Sequence, residues 1–167
     1  SQAVEEARWV FQIDSDDELK PDAFEAFWNE RGKYDALFAI RQNRVQAADR
    51  RLISAVSRMV VRVLFGSGVY DVNVPFRLIR APILGRIIGQ VPDGTLTPNI
   101  IISGTLARAG ARILNRPVRH AERETGQVSL GGRKLWKFAV RAFWECIRCR
   151  PRLSESDLEK ARTEESE

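Results

Sequence analysis

The segment Arg8-Trp-Val-Phe-Gln-Ile13 is a short apolar run of β-forming residues that stops abruptly at the acidic stretch Asp14-Ser-Asp-Asp-Glu18. This pattern predicts a buried strand that ends in an acidic loop. Lys20-Pro21-Asp22 then opens a helix, with proline at the first helical position and acids in the first turn. Its apolar face is Ala23, Phe24, Phe27 and Trp28, and Gly32 closes it. A second apolar run, Tyr34 to Ile40, follows. Strand, helix and strand in this order are the signature of a parallel sheet, so the chain reads as an α/β fold.

The rest of the sequence supplies further elements. Arg41 to Ala48 is a polar loop, and Asp49 caps a long helix to Phe65, stopped by Gly66. Pro75 to Arg80 reads as a short strand, and Pro82 starts a short helix through Ile88. Pro98 to Ala109 reads as an apolar helix closed by Gly110. Ala111–Leu114 and Pro117–His120 form two extended segments around Asn115. Glu122 to Gly132 has three glycines and no periodicity, which predicts a mobile segment. Lys134 to Cys149 is a helix. From Leu153 onward six acids face only Lys160 and Arg162, a net −4. Few apolar anchors accompany them, so a disordered tail is expected.

Composition narrows the class. The 167 residues are 44% hydrophobic and 29% charged, which excludes collagen-like and wholly disordered chains. One histidine and two cysteines, Cys146 and Cys149, make a zinc site or a disulfide framework a poor fit. No apolar run approaches the roughly 18 residues that cross a bilayer. Net charge is +5, and the acidic tail leaves residues 1–152 at +9. A basic body suits phosphates, nucleic acid or a membrane surface, and it also suits a plain solvated surface.

Three groups of residues carry chemistry. Asp14 and Asp16 stand two apart just past a strand end, where open α/β sheets bind ligands. Their oxygens suit Mg²⁺ or Mn²⁺ bridging to a diphosphate; a solvated loop that caps the next helix is the alternative. Arg41, Arg44, Arg77, Arg80 and Arg123 lie on or beside strand ends, and guanidinium forks bind phosphate oxygens bidentately. His120, the lone imidazole, fits a structural or supporting role better than catalysis. In the last helix Lys134, Lys137, Arg141, Glu145 and Arg148 form a mostly basic stripe beside Leu135, Trp136, Phe138, Val140, Phe143, Trp144 and Ile147. Such a helix can lie on anionic lipid or pack on a protein surface.

Taken in order, the Asp14-Ser-Asp16-Asp17 strand end, Tyr34-Asp35, Arg41, Gly66, Asp71, Phe76-Arg77-Leu78, Gly110, Pro117-Val118, His120, Arg123-x-x-Gly126 and Ser129 resemble the family 2 glycosyltransferases. Within that family they are most similar to the dolichol- or polyprenyl-phosphate sugar transferases. The resemblance covers about residues 8–148. It implies the C-terminal portion of a GT-A, Rossmann-like mixed sheet with flanking helices and a C-terminal amphipathic helix. Residues 1–132 would be a partial catalytic domain, 133–150 the basic helix and 151–167 the tail. Asp14 and Asp16 would hold Mg²⁺ or Mn²⁺, and with Arg123 and Ser129 the donor diphosphate. Arg41, Arg44 and Arg51 would face the acceptor phosphate, and Asp16, Arg41 and Arg123 would be catalytic.

The implied reaction is inverting transfer from a nucleotide-sugar to a lipid phosphate. The implied location is cytoplasmic and peripheral, with the 134–149 helix on the membrane. The sequence departs from the family in three places. The strand–helix half that grips the nucleotide base is missing, so another chain or an N-terminal segment is expected beside Arg8–Ile13. Val72-Asn-Val-Pro-Phe-Arg77 stands where Gly-Phe-Arg is usual, and Thr97-Pro-Asn99 replaces an acidic position. Two other functions compete with transfer, an inactive membrane or partner scaffold and a basic nucleic-acid module. No nucleic-acid motif supports the last of these.

Overall fold

The computed structural model describes residues 7–14, 23–42, 62–66, 68, 70, 74, 76–119 and 132–164. Four strands form one mixed sheet: β1 (Trp9–Gln12), β2 (Ala36–Gln42), β3 (Arg77–Arg80) and β4 (Ile113–Arg119). Among the described residues five α-helices accompany it, α1 (Phe24–Glu30), α2 (Ala81–Ile88), α3 (Pro98–Arg108), α4 (Gly132–Arg148) and α5 (Glu155–Thr163), with a short 3-10 turn (Arg31–Lys33) after α1. The α/β class expected from the sequence is therefore the class observed.

The strand order is β1-β3-β2-β4. β3 pairs antiparallel with both β1 and β2, and β2 pairs parallel with β4. β1 and β2 consequently run the same way, as strand–helix–strand predicts, but β3 lies between them. Burial explains the order. Ala36 to Ala39 and all of β3 are buried, whereas Val10 to Gln12 and Ile113 to Arg116 are half-buried. The apolar runs thus sit in the middle of the sheet, covered on both faces. Pro117, which has no amide to donate, sits on β4, at the sheet's margin among the described residues.

β4 is one continuous strand rather than two segments around Asn115. The Asn115 amide donates to the Gly68 carbonyl at 2.8 Å and accepts from the Tyr70 amide at 3.3 Å, so its polar side chain is satisfied without breaking the strand. Aromatic side chains join α1 to the sheet, with Phe11 against Phe24 at 4.8 Å and Phe27 against Phe76 at 5.1 Å. A second, smaller core joins α3 to α4 through Phe65, Ile101, Cys146 and Cys149. The helix predicted to end at Phe65 is described only over residues 62–65, and Gly66 follows with φ +85°, as a helix-ending glycine requires. Gly110 ends α3 in the same way, with φ +72°.

The C-terminal stretch departs from expectation. Instead of an unanchored tail, residues 151–164 dock on the body through α5. Leu158 and Ala161, one helical turn apart, are buried in the main core. Ser154 and Asp157 form a capping box at the helix start. Arg86 pairs with Asp157 at 2.8 Å, and Gln90 exchanges two hydrogen bonds with the Arg152 backbone. Two apolar residues suffice because polar tethers fix the rest, and a count of apolar anchors does not register tethers.

Candidate functional site

The parallel direction of β1, β2 and β4 brings their C-terminal ends to one margin of the sheet, joined there by the start of β3. Gln12 is in register with Arg77, Phe38 with Arg77, and Arg41 with Val118. Asp14 lies two residues beyond β1 and is exposed. The backbone thus delivers Asp14 and Arg41 to the same margin, the one where open sheets bind ligands. Asp16, Asp17, Arg44, Arg51, His120, Arg123, Gly126 and Ser129 lie outside the described residues, as does the side chain of Arg41. Among the described residues no cluster of three histidine, cysteine or acidic side chains is placed to hold a metal. Asp14 is the described member of the Asp14-Ser-Asp16 pair.

Two arginines that the sequence offers as phosphate ligands serve the fold instead. Arg77 is 1% exposed. Its guanidinium donates to the Val74 carbonyl at 3.0 Å from Nε, and to the Asn99 carbonyl and Ser103 Oγ, each at 3.3 Å. It therefore ties the entry to β3 to the first turn of α3. Arg80 is 3% exposed and lies over Trp9 at 4.8 Å. It donates to the Tyr34 carbonyl at 3.2 Å and faces Asp35 at 3.6 Å. Neither guanidinium reaches solvent where a phosphate would arrive. Position beside a strand is equally consistent with burial, and the sequence alone does not separate the two.

Four contacts at or near this margin go beyond the sequence expectations. Gln12 donates its side-chain amide to Asn99 Oδ1 at 3.2 Å, joining the end of β1 to α3. Glu145 on α4 accepts from the Leu96 amide at 2.9 Å, the Thr97 amide at 3.0 Å and the Thr97 hydroxyl at 2.9 Å. A carboxylate here serves the two amides that lead into α3 and lies at the positive end of that helix. Thr97 makes no side-chain cap of its own, because its hydroxyl serves Glu145. The sequence signal was available, since Glu145 is the one acid in a basic stripe. Beside it, burial and then the Glu145 charge push the Cys149 thiol up. Burial also raises the Cys146 thiol, against a hydrogen bond from Thr97. Both cysteines are free and buried, an unreactive setting.

α4 has two unlike faces. Ala142 and Cys146 are buried, with Cys149 just beyond the helix, while Lys137, Arg141 and Arg148 are exposed. Two large apolar side chains share the exposed face, Val140 at 47% and Trp144 at 53%. The helix therefore both packs on the body and presents a basic, aromatic stripe outward. Among the described residues no helix is long and apolar enough to cross a membrane.

No protein-family model matches the chain. The chain is similar to the undecaprenyl-phosphate 4-deoxy-4-formamido-L-arabinose transferase of Edwardsiella ictaluri (strain 93-146), with 27% identity over 116 residues. The match covers 70% of this chain and 33% of that relative, so the chain spans about a third of the length of the relative.

Proposed function

We propose that this chain is the metal- and acceptor-side part of a glycosyltransferase that moves a sugar from a nucleotide-sugar to a polyprenyl or other lipid phosphate. The observation that carries the reading is the shared sheet margin, where β1 leads into Asp14-Ser-Asp16 and β2 carries Arg41. The similarity to an undecaprenyl-phosphate sugar transferase supports it.

In this reading Asp14 and Asp16 hold Mg²⁺ or Mn²⁺, which would supply positive charge against a leaving diphosphate. Arg123 and Ser129 bind that diphosphate, while Arg41, Arg44 and Arg51 hold the acceptor phosphate. An acceptor oxygen attacks the anomeric carbon as the bond to the diphosphate breaks, and the diphosphate leaves with the electron pair. The anomeric configuration inverts. A phosphate oxygen is already anionic, so no side chain has to remove a proton. Asn99, a neutral amide at this margin, is compatible with such an acceptor. What remains for the protein is positioning and charge.

The outward stripe of α4 gives the acceptor its setting. Lys137, Arg141 and Arg148 face anionic headgroups, and Trp144 sits at headgroup depth, placing the protein peripherally on the cytoplasmic leaflet. The same stripe favours a second reading, a membrane scaffold without transfer. Calorimetry separates the two. With the donor-side segment present, the wild-type protein titrated with Mn²⁺ and uridine or guanosine diphosphate should bind, and Asp16→Ala should abolish the heat. Membrane binding without diphosphate binding favours the scaffold, and binding unchanged in Asp16→Ala removes the metal assignment.

A further inference from the structure

Glu145 stands at one end of a continuous set of hydrogen bonds, and the strand end that leads into Asp14 stands at the other. Its carboxylate grips Leu96 and Thr97. The Thr97 carbonyl accepts from the Ile100 amide at 3.1 Å and the Ile101 amide at 3.2 Å, which opens α3. Asn99, in that first turn, holds Gln12 through Oδ1 and Arg77 through its carbonyl. Arg77 is in turn the register partner of Gln12 across β1 and β3. The end of β1 is therefore bracketed from both sides by groups attached to one helical turn, and Glu145 caps that turn.

We propose that Glu145 is a positioning residue that couples α4 to the strand end carrying Asp14. The proposal rests on the glycosyltransferase reading for its functional meaning, though the coupling itself does not. Glu145 is also flanked on α4 by outward-facing Arg141 and Trp144. A helix that lies on a surface through those two residues holds its carboxylate at a fixed depth, and so holds the Thr97 turn. The chain thereby links the face that meets the lipid to the margin that meets the donor. A lone acid within a basic stripe would weaken attraction to anionic lipid if it faced outward. Turned inward, it serves the protein instead.

Amide hydrogen exchange in the 167-residue chain tests the coupling. Glu145→Gln keeps the shape of the side chain and replaces one acceptor oxygen with a donor amide facing donors. Protection should fall at Leu96 and Thr97 and also at the β1 amides that pair with β3, by about fivefold or more. Protection in the middle of β2 should be unchanged. Should Glu145→Gln fail to fold, Thr97→Val removes the hydroxyl alone and should give the same pattern more weakly. Asn99→Ala leaves the Glu145 clamp intact and should loosen β1, and adding Glu145→Gln to it should loosen β1 no further. Loss confined to Leu96 and Thr97, or equal loss throughout the molecule, overturns the proposal.

A functional arm titrates the same variants, with the donor-side segment present, with Mn²⁺ and uridine diphosphate. Weaker binding in Glu145→Gln at unchanged melting temperature supports a positioning role, and unchanged binding removes it. If the wild-type protein binds no diphosphate even with the donor-side segment present, the transferase reading fails, while the exchange experiment still decides the coupling.

Discussion

At the start of β2, Asp35 is fully buried and is met by three arginines. Arg162 of α5 holds it with two bonds, at 2.9 and 2.6 Å, and Arg80 and Arg112 each stand at 3.6 Å. The Arg112 amide adds a bond at 2.8 Å. Burial pushes this carboxyl up, but the Arg162 fork, the Arg112 amide and the two arginine charges outweigh it, so its pKa lies below the ordinary value. A depressed native pKa contributes stability that is whole above the ordinary carboxylate value of about 4. That contribution is lost as pH falls from there through the native value. Asp35→Asn should therefore cost about 3–5 kcal/mol at neutral pH, since it leaves Arg80 buried beside a neutral amide. Urea denaturation across pH should show a shallower acid limb in the variant than in wild type. Gly104 makes a different demand. A Cβ there would lie 2.3 Å from Cγ of buried Phe65, so Gly104→Ala should destabilise by about 1–3 kcal/mol, read by the same denaturation. Neither residue's structural role was legible beforehand. Asp35 reads as part of a strand and Gly104 as a small residue in a helix, because long-range partners such as Arg162 and Phe65 leave no local mark.

Elements were more legible than residues. The apolar runs at 8–13 and 34–40, the proline-led starts of α2 and α3 and the glycine stop at Gly110 follow from local sequence and the structure has them, although β2 continues through Arg41 and Gln42, which the sequence places in a loop. What local sequence does not contain is the partner of each element. The insertion of β3 between β1 and β2 depends on pairing across the chain. The docking of α5 depends on Leu158, Arg162 and tethers from Arg86 and Gln90. Leu158→Ala should accordingly cost about 2–4 kcal/mol, with exchange rising first across α5, because the helix has little else buried. α4 makes the opposite point, since its amphipathic pattern was plain and its orientation was not. With the buried face against α3, the outward stripe is the face left for the lipid contact proposed above. Replacing Lys137, Arg141 and Arg148 by Glu should abolish sedimentation with phosphatidylcholine vesicles containing phosphatidylglycerol, each basic residue contributing about 1 kcal/mol. Trp144→Ala should weaken binding to the same vesicles without altering the thermal midpoint, because Trp144 is exposed.

For the molecule as a whole, the sheet order sets the terms of assembly. β1 has β3 on one side, and among the described residues no strand lies on its other side. Beside it Ile13 is 37% exposed and Trp28 39%, next to half-buried Phe11 and Phe24. Between Arg8 and Asp14 this edge strand carries no charge, and such an apolar edge is a template for a further strand. The chain also spans only about a third of the relative it resembles. On the glycosyltransferase reading proposed above, the segment expected on this edge would supply the remainder of the donor site, and transfer activity should require it. Two outcomes follow for the isolated 167-residue chain. It should give no transfer from a nucleotide-sugar to undecaprenyl phosphate, and it should self-associate as concentration rises, the open edge of one copy meeting that of another. Ile13→Lys places a charge at this edge and should shift the sedimentation equilibrium toward monomer, while the circular dichroism spectrum stays that of the wild type. A chain that is monomeric at every concentration, or one that turns over alone, would show that β1 is an ordinary guarded edge and that the site needs no second segment.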